Sequence, residues 1–171
     1  MKSFYLFILL FIIIGCKSNI LDRQKSKIVD CPTVLFAKEH KIYVDSKFDD
    51  ISLNNISYKA EVNNAVFNKE CKIKDNIFSS KISILFVVTP LIQEQENIDL
   101  PFYIATLDKK NTIEKIEYFL INGNFKKDFE TDIFKETEIT TTEIINFKLT
   151  DRPEKIVIGF MIDELKLELL N

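Results

Sequence analysis

The 171-residue chain contains no tryptophan, three glycines and a single histidine. Each shortage removes a class of architecture or chemistry. Without Trp, a hallmark core residue of true immunoglobulin domains is missing, and any sugar stacking would fall to tyrosine. Beyond residue 15 only Gly123 and Gly159 remain, so no Gly-rich phosphate loop and no nucleophile elbow can be built. Imidazole chemistry has one carrier, His40. Excess positive charge is also lacking. The 23 basic residues face 26 acidic ones, interspersed as in Lys109, Lys110, Glu114, Lys115 and Glu117. Such a surface offers no stripe for nucleic acid. No cofactor motif stands in the chain.

What is present fits one globular domain, with 46% hydrophobic and 29% charged residues. Ile, Lys, Asn and Phe are heavily used; Ile and Phe inflate apparent strand propensity and Asn, Asp and Lys stand for Gly in turns, so alternation carries more weight than composition.

The one long apolar run lies at the start. Met1, Lys2 and Ser3 precede eleven consecutive apolar residues, Phe4 to Ile14. As a helix that run would be about 16 Å long, roughly half a bilayer core, too short to span and the right size for a signal-peptide core. The next residues, "FIIIGCKSN", place Ile13-Ile14-Gly15-Cys16 at the border. This stretch resembles the lipobox of bacterial lipoproteins. The resemblance implies cleavage after Gly15, a diacylglycerol thioether on Cys16 and an acylated new amine. Two or three acyl chains anchor firmly where one would not. Lys17, rather than Asp, favours the outer membrane over the inner one. Residues 1–15 are thus read as a lipoprotein signal peptide and 16–30 as a lipidated flexible tether. Fourteen tether residues would span about 20 Å. Removing the signal takes Lys2 with it and moves the net charge from −3 to −4.

From Cys31 to the end the pattern has period two. "CPTVLFAKE" opens a strand with Pro32 at its start. "NISYKAEVN" puts Ile56, Tyr58, Ala60 and Val62 on one face, and Ser57, Lys59, Glu61 and Asn63 on the other. "SSKISILFVV" lines up Ile82, Ile84, Phe86 and Val88, and its second face turns apolar at Leu85 and Val87, as in a central strand covered on both sides. Residues 102–107 and 113–121 read as a hairpin around Asp108-Lys109-Lys110-Asn111. "INFKLT" and "EKIVIGFMI" supply two late strands around Asp151-Arg152-Pro153, and "NGN" at 122–124 reads as a turn. Within 123–142, Phe125, Phe129 and Ile133 have helical spacing, but the threonine-rich "ETEITTTE" is extended, so irregular strands are expected. The end, "DELKLELLN", is a strand or a helical turn capped by Asp163. Seven or eight short strands without a long amphipathic helix predict an all-β fold, an antiparallel immunoglobulin-like β-sandwich over 31–171.

"CPTVLFAKE", the later Cys71, "LPFYIATLDKKNTIEKIEYF" and "VIGFMIDELKLELLN" together resemble an uncharacterised family of alphaproteobacterial lipoproteins. That family has a Cys-Pro strand, a Leu-Pro-aromatic hairpin and a Gly-Phe-Gln-Leu-like terminal strand. The chain departs from it at Met161, where Gln is expected, and in its acidic tail. The resemblance implies an envelope location and the sandwich fold, and carries over no catalytic residue.

Cys31 and Cys71 are the sharpest internal feature. With Cys16 lipidated, two thiols remain for an oxidising compartment. If the first two long strands pair antiparallel, the two cysteines meet and can close a disulfide. The rival is a two-thiol metal or redox site, against which stand the absent Cys-x-x-Cys and a spacing of forty. His40, in "AKEHKIYVD", reads as a solvated strand end, with a weak hydrolase built on it as the alternative. Asp45, Asp49 and Asp50, and Glu94, Glu96 and Asp99, do not follow a calcium-loop pattern and read as solvated acids. Of the adjacent aromatics Phe102, Tyr103, Tyr118 and Phe119, at most one of each pair enters the core. The others lie on the outer face of the hairpin, which makes this ribbon the expected partner surface, against the alternative that they pack under a covered sheet. The whole predicts a non-enzymatic, lipid-anchored binding or accessory module. It would hold no metal or cofactor, face the periplasm and serve an envelope protein partner. A carrier or chaperone for an apolar ligand is the first alternative.

Overall fold

The computed structural model describes residues 26–46, 52, 54–148 and 153–170. The lipobox with Cys16, Asp49, Asp50 and the Asp151-Arg152 pair lie outside the described residues. The strands are β1 (Lys27–Val29), β2 (Thr33–Phe36), β3 (Ile42–Asp45), β4 (Tyr58–Phe67), β5 (Cys71–Lys74), β6 (Ile77–Pro90), β7 (Asn97–Leu107), β8 (Ile113–Asn124), β9 (Thr137–Lys148) and β10 (Lys155–Phe160). A 3₁₀ turn spans Lys38–His40, and a short helix α1 spans Glu164–Leu170.

Two sheets face each other, so the sandwich class stands. In the six-stranded sheet β6 is central. Strand β9 runs along one edge, while β4 and β5 lie end to end along the other, with β3 beyond β4 and β1 beyond β5. The four-stranded sheet has the order β2-β10-β7-β8, antiparallel except for the parallel β2–β10 pair. Ten strands among the described residues replace the seven or eight expected, partly because β1 takes Lys27–Val29 out of the predicted tether and pairs it with β5.

The alternation of β4 and β6 decides the core. Tyr58, Ala60 and Val62 are fully buried, as are Ile82, Ile84, Phe86 and Val88. Ser57, expected on the outer face, is also buried, and its carbonyl accepts from the N–H groups of Leu91 and Ile92. Leu85 and Val87 are half-buried, so β6 is central by pairing while its outer face remains partly open. Phe86 joins the layers, its ring 5.2 Å from Phe102 and 5.5 Å from Phe160. Between Val62 and Asn64 a bulge shifts the register of β4, which restores Ala65 and Phe67 to the inner side.

Tyr58 makes the clearest polar link between the sheets. Its hydroxyl donates to the Asp99 carbonyl at 2.7 Å and accepts from the Asp99 N–H at 3.0 Å. Strand β10 ends at Phe160, so the hydroxyl occupies a place along β7 where a neighbouring strand would continue. Burial, with the Asp45 charge added, raises the phenol above its ordinary range and keeps it a neutral donor. Tyr58→Phe is expected to cost about 1–3 kcal/mol, because both Asp99 groups lose their partner. Urea melts at fixed slope measure it, and a loss below about 0.5 kcal/mol would show that water replaces the hydroxyl.

Several local expectations change. The "NGN" stretch is strand rather than turn: Asn122, Gly123 and Asn124 pair with Asp99, Ile98 and Asn97. Gly123 is used for closeness, since a Cβ there would stand 2.8 Å from Ile139 Cδ1 of the facing sheet. "ETEITTTE" and "INFKLT" are not separate strands but largely one, β9, laid along nearly all of β6. Between β8 and β9, Phe125 and Phe134 are buried while Phe129 is fully exposed, so the four-residue spacing reflects a turn and not a helix. In that turn the Asp128 carboxylate accepts from the N–H groups of Glu130 and Thr131 and pairs with Lys135. Lys135 first, and then these N–H groups, lower the carboxyl to about 2. The final segment is helical, and Asp163 caps it by accepting from the Lys166 N–H at 2.8 Å.

Candidate functional site

The hairpin forms as expected. Asp108 accepts from the N–H groups of Lys110 and Thr112, both at 2.8 Å, and Asn111 takes a positive φ of 63°. Its ladder sets Phe102 opposite Phe119 and Tyr103 opposite Tyr118. Period two then divides the four aromatics between two faces. Phe102 is fully buried and stacks on Phe119 at 5.0 Å, inside the sandwich. These two are therefore core and drop out of the expected partner surface. Tyr103 and Tyr118 do face outward, and Tyr118 is 64% exposed.

Around those tyrosines the outer face of the four-stranded sheet carries a groove of about 770 Å³. Ala105 and Val157 floor it, Leu107, Ile113 and Ile116 extend it along the hairpin, and His40, Met161 and Lys166 close its far end. Gly159 shapes that end. A Cβ there would lie 2.8 Å from the Tyr103 hydroxyl and 2.9 Å from His40 Cβ, so only glycine lets the tyrosine ring lie across β10. Burial, and then neighbouring Tyr118, raise the Tyr103 phenol above its ordinary value. It offers a neutral hydroxyl.

His40 is not a solvated strand end. It closes the 3₁₀ turn, is half-buried, and its ring meets Tyr103 edge-on at 5.8 Å. Nδ1 lies 3.0 Å from the Phe160 carbonyl. A carbonyl only accepts, so Nδ1 is the donor in this contact. The orienting partner is a backbone carbonyl rather than a carboxylate, and none of the described residues that line the groove is Ser, Thr or Cys. Those described residues place no hydroxyl or thiol nucleophile of Ser, Thr or Cys beside His40.

Lys166 has a polar role in the core that nothing in the pattern of "DELKLELLN" announces. It is nearly buried, donating to the Tyr43 hydroxyl at 2.8 Å and to Asp45 Oδ1 at 3.2 Å. Burial first, and then Asp45, raise the Tyr43 phenol above its usual range. The arrangement latches α1 to β3 and closes the groove with a satisfied ion pair. Asp45 is thus a structural partner and not a solvated acid. Among the described residues no group of three or more His, Cys, Asp or Glu could hold a metal ion, and no helix is long and apolar enough to cross a membrane.

Cys31 and Cys71 are joined, with 5.3 Å between their Cα atoms. The route differs from the expected one. β2 pairs with β10 in the other sheet, and the cysteines meet because β1 pairs with β5, with Val29 opposite Cys71. The missed groove residues did leave a trace in the sequence. "IEKIEYFLI" is apolar on both faces, the same sign that marks the central strand at Leu85 and Val87.

No family model and no curated protein matches the chain. One solved structure, described as "X-ray structure of Northeast Structural Genomics Consortium target SoR45", is similar at 7% identity and a TM-score of 0.30, covering 62% of this chain and 83% of that one. A likeness of that size identifies neither a family nor an activity.

Proposed function

We propose that the chain is a lipid-anchored lipoprotein of the bacterial envelope, and that its sandwich is a non-enzymatic binding or accessory module facing the periplasm from the outer membrane. The observation that carries this reading is the Cys31–Cys71 bond. Disulfides persist in oxidising compartments, and with two of the three cysteines joined, Cys16 is left at the lipobox-like border. The outer-face groove supports a binding role, because its volume lies in the roughly 300–1,000 Å³ range of ligand sites. The occupant differs between the two readings. An envelope protein would lay an apolar segment along it, whereas a carrier would hold a small apolar ligand there rather than between the sheets, where aromatic side chains fill the core.

Cys16→Ser is the direct test. Labelling with a fatty-acid precursor should vanish, and the protein should lose the mobility shift of the processed form while its sandwich still melts cooperatively. Undiminished labelling would overturn the lipid anchor at Cys16. His40→Ala addresses the hydrolase alternative: an unimpaired variant in a pull-down from detergent-solubilised envelopes agrees with a binding role.

A further inference from the structure

We propose that β8 is a pairing edge for a second copy of the chain, with a two-fold axis at Ile116, so that the two four-stranded sheets become one of eight strands. No described strand pairs with the outer edge of β8, which runs for twelve residues. The direction of its backbone groups follows from the neighbouring strand. The Pro101 carbonyl accepts from the Met161 N–H at 2.9 Å, so odd residues of β7 point toward β10 and even ones toward β8. Phe102 lies opposite Phe119, so Ile116, Tyr118 and Leu120 turn their N–H and C=O groups to the open edge. The same three residues carry their side chains on the outer face, where Tyr118 is 64% and Leu120 62% exposed. A long, apolar, unpaired edge is a template for another strand.

Charge decides which strand. Cross-strand neighbours share a face, so an antiparallel self-pairing must be centred on a residue and not between two. Centres at Glu114, Lys115 or Glu117 set like charges directly opposite each other. A centre at Tyr118 puts Lys115 against Ile121 and Glu117 against Phe119, leaving both charges facing apolar side chains. With Ile116 at the centre, Lys115 of each copy faces Glu117 of the other, and Ile116 faces its own counterpart. Within one chain these two already pair, with Lys115 Nζ 2.7 Å from Glu117 Oε1, and both remain partly exposed at the strand edge. Dimerisation would join them into a four-charge group. Only the Ile116 centre sets Lys115 against Glu117, with Glu114 left opposite Tyr118, and this one complementary register favours a specific dimer over open-ended aggregation.

The other long edge argues for β8 by contrast. β9 shows solvent Glu138, Thr140, Thr142, Asn146 and Lys148 along its exposed row, with Ile144 the one large apolar side chain. The consequence for the groove is direct. Tyr118 and Ile116 line it, so a two-fold at Ile116 would make the two grooves neighbours on one continuous sheet face.

The test is light scattering of the full chain purified in detergent, with the detergent mass subtracted. The wild-type protein should be a dimer. Lys115→Glu and Glu117→Lys should each weaken it by at least about tenfold, because each change acts twice across the axis. The double exchange, Lys115→Glu with Glu117→Lys, should restore the dimer. Unchanged thermal melts of the detergent-bound variants separate lost pairing from lost folding. A monomeric wild-type chain overturns the proposal. A dimer indifferent to both single changes also overturns it, by placing the contact elsewhere.

Discussion

Replacing Cys31 and Cys71 together by alanine is expected to lower the unfolding free energy by about 4 kcal/mol, measured by urea melts of the oxidised parent and the variant. The bond closes a loop with a sequence separation of 40. In the chain-entropy model, constraining an unfolded loop of that length accounts for nearly all of the figure. Alanine is preferred to serine because Cys71 is fully buried, and a hydroxyl there would add a desolvation cost of its own. The loss should be local as well as global. β1 has three residues, and among the described residues its one strand neighbour is β5, so the bond beside Val29 and Cys71 holds it in place. Amide exchange at Lys27–Val29 should therefore accelerate more than exchange in β6. A loss under about 1 kcal/mol, with β1 still protected, would mean that pairing alone secures this edge.

Phe86→Ala is expected to cost about 3–5 kcal/mol, enough to unfold a domain of ordinary stability under mild conditions. Phe86 is fully buried on β6 and touches aromatic rings on both β7 and β10. Truncation removes the transfer free energy of the ring and leaves a cavity that two paired sheets cannot collapse to fill. Each lost aromatic pair adds about 0.5–1.5 kcal/mol beyond area. Leu120→Ala is the matched control. It also deletes a large apolar side chain, but from the outer face, and should change stability of the monomer by no more than about 0.5 kcal/mol. Equal losses in the two variants would show that the inner and outer faces of the sandwich have been confused.

The inner faces were legible because burial on one side of a strand writes itself as alternation. Tyr58 to Val62 and Ile82 to Val88 announced their orientation, and Asp108 with Asn111 announced the hairpin turn through its need for local carboxylate bonds and a positive φ. The site was legible only in part. Adjacent aromatics declare that they separate onto two faces, but not which member goes inward, so Phe102 and Phe119 were grouped with Tyr103 and Tyr118. The register settles that, and register is a property of the paired strands. Lys166 and Gly159 were opaque for a related reason. A lysine in a charged tail and a glycine in a strand look ordinary until Asp45, Tyr43, Tyr103 and His40 arrive from distant parts of the chain.

By itself, the sequence determined an all-β chain, the position of its hairpin and the residues of its core strands, and it offered Cys31 and Cys71 as a pair. All of these depend on local periodicity, turn chemistry or simple elimination. Only the tertiary structure decided that β2 runs parallel to β10, that β9 lies along β6, that β1 brings Cys31 to Cys71, and that an apolar groove opens on the outside of the smaller sheet. Those outcomes rest on which strand edges find each other across long stretches of chain. Backbone hydrogen bonds are the same for every residue, so the choice among edges is made by the packing of whole faces, which no short stretch of sequence contains.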